Sequence, residues 1–173
     1  MQALTTQRKD RFMANADLTA VRLRELLHYD PETGLFTSLR SGRQVGFIVP
    51  PKGYLRVSVD GRQWLAHRLA WLYLHSEWPA NQIDHINGVK TDNRAKNLRC
   101  VTPAQNMQNI MVAKSYNKTS GLLGVTRCNS GKKWIAQISV NNVTQRIGVY
   151  DDPQEAHQAY IAAKRRLHEG CTI

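Results

Sequence analysis

The chain has 173 residues, 42% of them hydrophobic and 21% charged, an ordinary globular mixture with room for one domain or two small ones with thin cores. Twenty-four Lys and Arg stand against thirteen Asp and Glu, a net charge of +11. That excess suits a polyanion, because each neutralised phosphate releases condensed counterions. No apolar run reaches membrane-spanning length, the opening MQALTTQRKDRF lacks the apolar stretch of a secretory signal, and Cys100, Cys128 and Cys171 form no Cys-x-x-Cys pair. A membrane protein, a disulfide scaffold and a zinc ribbon are therefore set aside, and a cytoplasmic location is expected.

Residues 17–28 predict a short helix, with Asp17 as its N-cap and Leu23, Leu26 and Leu27 on its apolar face. A turn at 29–34 and a strand over 35–39 follow. From Tyr54 the pattern has period two, with Leu55, Val57 and Val59 alternating against Arg56 and Ser58, and Asp60-Gly61 signals a hairpin into 63–66. Residues 68–75 are apolar on almost every side, as in a buried helix, with Trp78-Pro79 ending it. Next come a strand at 82–86, a polar loop at 87–97 and a strand at 98–102. A helix opens at Pro103, capped by Thr102. Beyond a polar stretch, strands are expected at 122–128, 133–140 and 143–150, with a turn at Asn141-Asn142. A helix then runs from Pro153 to about His168, presenting Ala156, Ala159, Tyr160, Ala163 and Leu167 on one face. The expected class is α+β. The chain divides into an N-terminal helix and hairpin extension (1–53), a central domain (54–112), a linker (113–121) and a small three-stranded antiparallel sheet packed on one helix (122–173).

The stretch QIDHINGVKTDNRAKNLRCVTPAQNMQN, residues 82–109, carries the chemistry. Asp84 and His85 are adjacent on a strand, Asn97 lies twelve residues after His85, and Asn106 nine after that on a helix. Singly, each has an ordinary explanation as a turn former, a cap or a packed histidine. Together they bring an imidazole, a carboxylate and two amides into one small unit. A neutral His85 imidazole accepts a proton near physiological pH. The Asp84 carboxylate and Asn106 amide oxygen suit Mg²⁺ (or Mn²⁺), whereas zinc would want more nitrogen or sulfur.

Taken with AHRLAW (66–71) and NRAKNLRCVTPAQN (93–106), this stretch resembles the HNH nuclease motif, the ββα-metal unit of phage and intron-encoded endonucleases, over roughly residues 54–110. The resemblance implies a metal-dependent DNA endonuclease of homing type, leaving 5′-phosphate and 3′-hydroxyl ends. Asp84, His85, Asn97 and Asn106 would then be the catalytic set. Asp84 and Asn106 hold the metal, His85 is the general base, and Asn97 pins the loop and orients His85. Some relatives place a second histidine one turn after the helix ligand. Here that position is Ile110, which favours Mg²⁺ over Zn²⁺. His67, at the start of the buried helix, is expected to pack or to make a supporting hydrogen bond.

Residues 121–170 resemble the ethylene-response-factor (APETALA-like) DNA-binding domain through Gly124-Val125, Lys133-Trp134, Ile147-Gly148, Tyr150, Glu155-Ala156 and Ala159-Tyr160. The resemblance implies a sheet laid in the major groove with the helix behind it. Alternation turns Trp134, Ala136 and Ile138 toward the helix and Ile135, Gln137 and Ser139 outward. Thr144 and Arg146 on the third strand, and Thr126 or Arg127 on the first, complete the DNA-facing set, while Lys132 and Lys133 suit phosphate. The plant domains carry arginines where Thr126, Ser139 and Thr144 stand, so their target sequence does not transfer.

The expected partner is double-stranded DNA, with no membrane, and the expected state a monomer or weak dimer, since one ββα unit cuts one strand per binding event. If phage-encoded, the protein would act in the cytoplasm of the bacterial host. The competing reading is a non-catalytic DNA-binding regulator that uses the HNH unit as a positioning module. A nuclease acting on RNA is less favoured, because nothing resembles an aromatic stacking platform. Deleting residues 115–173 is expected to weaken site-specific binding while leaving some cleavage.

Overall fold

The computed structural model describes residues 18–113, 117 and 119–172. The chain is α+β and falls into two compact units, residues 1–100 and 101–173.

In the first unit, helix α1 (Ala20–Leu26) is capped by Thr19, whose hydroxyl accepts from Arg22 N at 3.1 Å. The expected cap Asp17 lies outside the described residues. The helix is shorter than 17–28 because the chain turns extended at Leu27 and enters strand β1 (Leu27–Asp30), where Leu27 and Tyr29 point inward with period two. β1 pairs antiparallel with β2 (Leu35–Ser38), which pairs with β3 (Gln44–Val45). A second sheet is built from β4 (Phe47–Val49), β5 (Tyr54–Val59) and β6 (Arg62–Leu65). Its hairpin turns at Asp60 and Gly61, both at positive φ, as their pairing in the sequence predicts. The Arg22 guanidinium grips the Asp60 carboxylate at 3.0 and 3.1 Å and links α1 to that turn.

Helix α2 (Ala66–His75) buries Ala66, His67, Leu69, Ala70 and Leu72, but Leu74 is exposed, so one side faces solvent. It ends earlier than Trp78-Pro79, at Ser76, whose left-handed backbone (φ 61°) turns its N–H onto Leu72 O at 2.9 Å. Trp78 instead stacks on Trp64 at 5.1 Å. Strand β7 (Gln82–His85), a loop, a single 3-10 turn (Ala95–Asn97) and strand β8 (Leu98–Val101) follow, with β7 and β8 paired. One apolar core joins Leu23, Tyr29 and Phe36 to Val57, Leu69 and Ile83. Residues from 18 onward are thus part of the same core as those after 54, and β4 pairs with β5 across that position.

The second unit opens with helix α3 (Pro103–Gln108). Thr102 caps it with Pro103 at the first position, as the sequence predicts, and Gln105 completes a reciprocal capping box. Strands β9 (Val125–Arg127), β10 (Trp134–Val140) and β11 (Val143–Tyr150) form an antiparallel sheet with β10 central. β9 is shorter than 122–128 because Gly124 takes φ +75° with its α-carbon against the Tyr160 ring. Helix α4 (Pro153–Leu167) is capped by Asp152 and packs Ala156, Tyr160 and Ala163 on Val125, Ala136 and Ile138. Its Lys164 is also buried, and the ammonium donates to Ile110 O. Among the described residues no helix is long and apolar enough to cross a membrane.

Candidate active site

Strand β7 delivers Asp84 and His85 consecutively, and both are buried, at 8% and 4% exposure. Asp84 Oδ2 accepts from Arg99 on the neighbouring strand, from Nε at 3.0 Å and Nη2 at 2.8 Å. His85 Nε2 lies 3.2 Å from Asn93 Oδ1. Asn93 gives its amide N–H to Thr91 O at 3.2 Å, which directs its oxygen at the ring. With Asn93 Oδ1 as the acceptor, the tautomer that makes this hydrogen bond carries its proton on Nε2. Burial holds the His85 pKa below the ordinary histidine value, partly countered by Asn93, Asp84 and Asp92. At neutral pH the ring is in its proton-accepting form.

The loop after β7 is tied together by its own side chains. Asn97 Oδ1 accepts from Asn87 N at 2.9 Å, and its amide donates to Asp92 O at 2.7 Å. Asn87 donates in turn to Asp92 Oδ2 at 2.7 Å, and Ile86 N donates to Asn97 O at 2.9 Å. The Arg94 guanidinium closes on the same carboxylate at 2.7 and 2.5 Å and lowers the Asp92 pKa to about 2. Asn97 ties the loop through these bonds, and Asn93 is a residue whose side chain meets the His85 ring. Asn93, 1% exposed, is a residue that sequence reasoning missed. Its signal was its place at the head of NRAKNLRCVTPAQN.

His67 stands behind His85, ring centroids 5.1 Å apart and nearly perpendicular, with Tyr54 at 5.3 Å from His67 and 6.1 Å from His85. Its Nδ1 is buried without a hydrogen-bond partner. Desolvation, then the neighbouring His85 and Arg68, drives its pKa down to about 3, so the ring packs as a neutral group. Asp84, His85 and Asn97 come together on β7 and its loop. Asn106 sits on α3 in the second unit, its N–H on Thr102 O at 3.0 Å.

On the second unit's sheet, Ser139 faces Thr144 with their hydroxyls 2.8 Å apart, and Gln137 faces Arg146. A register shift follows between Ala136 and Gln137, and Ile135 is flanked by Val149 and Thr126. Thr126, Ser139, Thr144 and Arg146 are exposed and Gln137 half-buried. Of the two candidates on the first strand, Thr126 shares this row. Arg127 instead pairs with Trp134 and lies 5.5 Å from its ring centroid. Lys132 is exposed, and Lys133 meets Asp151 at 3.2 Å in a solvated ion pair.

The HNH endonuclease family profile matches residues 65–108. Among curated proteins, the chain is 34% identical over 96 residues to the uncharacterised HNH endonuclease L247 of Acanthamoeba polyphaga mimivirus, covering 53% of this chain and 24% of that protein. It is 30% identical over 96 residues to the DNA endonuclease I-HmuI of Bacillus phage SP01, covering 52% of this chain and 55% of that protein. The chain thus spans a quarter to about half the length of these relatives. A solved structure described as DNA binding and cleavage by the HNH homing endonuclease I-HmuI superposes with a TM-score of 0.42 at 22% identity, over 84% of this chain and 88% of that one. The stretch from Leu65 to Gln108, which holds Asp84, His85, Asn97 and Asn106, is the part of this chain that matches the HNH endonuclease family.

Proposed function

We propose that the protein is a site-selective DNA endonuclease of homing type that hydrolyses phosphodiester bonds with His85 as general base. The observation that carries this reading is the His85 ring, held neutral by burial and oriented through Nε2 on Asn93. In that arrangement Nδ1 takes the proton from an attacking water, and Asn97 keeps the loop in register while the ring charges. Asp84 and Asn106 are the residues that would hold a divalent cation. Among the described residues no three His, Cys, Asp or Glu side chains gather as a metal site. A cation would therefore draw on one carboxylate, one amide oxygen, water and substrate phosphate, hard donors that fit Mg²⁺ or Mn²⁺. When bound, it would neutralise charge on the leaving oxygen.

The second unit supplies the APETALA-like reading surface. Arg146 and Gln137 suit guanine and adenine edges, Thr126, Ser139 and Thr144 offer hydroxyls, and Arg127, Lys132 and Lys133 reach phosphate. The Lys133–Asp151 pair is solvated, so exchanging it for a phosphate costs little, at most about 1 kcal/mol. The protein would act on double-stranded DNA as a monomer or weak dimer, one strand at a time, in the cytoplasm, that of the bacterial host if it is phage-encoded.

One observation favours the non-catalytic regulator: Arg99 already occupies Asp84 Oδ2, where a cation would have to compete. A supercoiled-plasmid nicking assay with Mg²⁺, with Mn²⁺ and with EDTA decides. Nicking that EDTA suppresses supports the endonuclease. Tight binding to DNA with no nicking under any divalent ion supports the regulator.

A further inference from the structure

We propose that the β1–β2 hairpin, which lies outside the family-matched stretch, is a brace for the His85 loop, with Tyr29 as its positioning residue acting through Asn93. This inference rests on the reading of His85 as the base. The Tyr29 hydroxyl donates to Asn93 O at 2.7 Å, and Asn93 is the residue whose side chain meets His85 Nε2 at 3.2 Å. One asparagine thus joins the hairpin by its backbone to the imidazole by its amide.

The phenol is fixed in turn. Tyr29 is 1% exposed and wedged between Phe36, at 4.9 Å between ring centroids, and Tyr73, at 5.6 Å. A phenylalanine would serve that apolar contact equally well. The hydroxyl is what distinguishes tyrosine here, and it satisfies a single buried carbonyl. Burial raises its pKa, so it remains a donor at working pH.

Two further contacts come from the turn between the strands. Pro31 O accepts from Ala95 N at 2.9 Å. Gly34, at φ +74°, lies flat on the loop, and a Cβ there would sit 2.5 Å from both Arg94 N and Asn93 C. The turn keeps its own shape because Asp30 accepts from Glu32 N at 2.9 Å and from the Thr33 hydroxyl at 2.8 Å. Residues 93–95 are therefore held by a hydroxyl, a carbonyl and a glycine face from residues 29–34.

The test uses the full chain in steady-state nicking of plasmid DNA. Tyr29→Phe should lower turnover by roughly tenfold or more while KM for DNA stays within about twofold. Gly34→Ala should give the same split. In an Asn93→Ala background the further loss from Tyr29→Phe should shrink to less than about twofold, the mark of residues acting in series. A readout without turnover is amide hydrogen exchange at residues 93–95 in the metal-free protein, which should speed by roughly tenfold in Tyr29→Phe. A folded Tyr29→Phe with wild-type turnover overturns the brace, as do equal losses in both backgrounds or unchanged exchange. If the wild-type chain nicks no DNA, or His85→Ala nicks normally, the proposed function falls instead, and hydrogen exchange still decides the brace.

Discussion

The loop around His85 and the outer face of the β9–β11 sheet are both proposed to act on DNA, yet they are built in opposite ways. In the loop, Asn87, Asp92, Asn93, Asn97 and His85 are bonded to one another, and three of the five are buried. On the sheet, Thr126, Thr144 and Arg146 stand in solvent, with Ser139 and Thr144 linked by a hydroxyl pair. Proton transfer tolerates little misplacement, and side chains fixed before substrate arrives would suit it. Groove and phosphate contacts can form with long side chains that order on binding, at a cost the DNA contacts offset.

The comparison predicts unequal sensitivity. His85→Ala should reduce nicking by roughly 10³-fold, within the usual span for a lost general base, with DNA affinity nearly unchanged. Plasmid nicking at close to wild-type rate would show that the loop is not the reaction centre. Asn97→Ala removes two part-buried hydrogen bonds and should destabilise the fold by about 1–3 kcal/mol in urea unfolding, against less than about 0.5 kcal/mol for Ser139→Ala. Equal effects would erase the contrast between the two regions.

Acid should find the same asymmetry. His67 has a folded pKa of about 3, well below that of the unfolded chain, so its burial penalises the folded state as pH falls. Nothing is lost above about pH 6.5. Between there and pH 3 the unfolded chain takes up a proton that the folded one refuses, removing about 3 kcal/mol by pH 4. His67→Phe should flatten urea stability across that window, and an unchanged slope would contradict the buried neutral ring. At the smallest scale, Arg146→Ala should weaken DNA binding severalfold, with little change in stability. If Arg146 reads a base, specificity relaxes at one position; if it meets phosphate, the salt slope falls by about one. Fluorescence anisotropy across a salt series separates the two.

Much of this architecture was visible in the sequence where a local rule acts alone. Asp60-Gly61 marked its hairpin, Thr102-Pro103 opened a helix, and the alternation of Ala136 with Ile138 named the buried face of β10. The rule failed where two periods overlap. Leu23 and Leu27 fit a helix face, yet Leu27 and Tyr29 fit a strand equally well, and packing chose the strand. The site was legible as a set of types and spacings. Which asparagine touches the imidazole was not, because that depends on the path of the loop and on Tyr29, more than sixty positions earlier. The Asp84–Arg99 pair was hidden for a similar reason: it joins two strands whose pairing only folding reveals.

The buried Lys164 has a practical consequence. Its ammonium is plugged into the carbonyl just past α3, while Gly170 N donates to Gln108 Oε1 at 2.9 Å and Thr172 donates to Asn109. The short helix bearing Asn106 is thus socketed into the same body as the sheet. Cutting the chain at residue 115 to obtain a minimal nuclease would strip that socket away, so the survival of cleavage expected for such a truncation loses its footing. A shortened nuclease that keeps α3 in place has to keep Lys164, Gly170 and Thr172 as well.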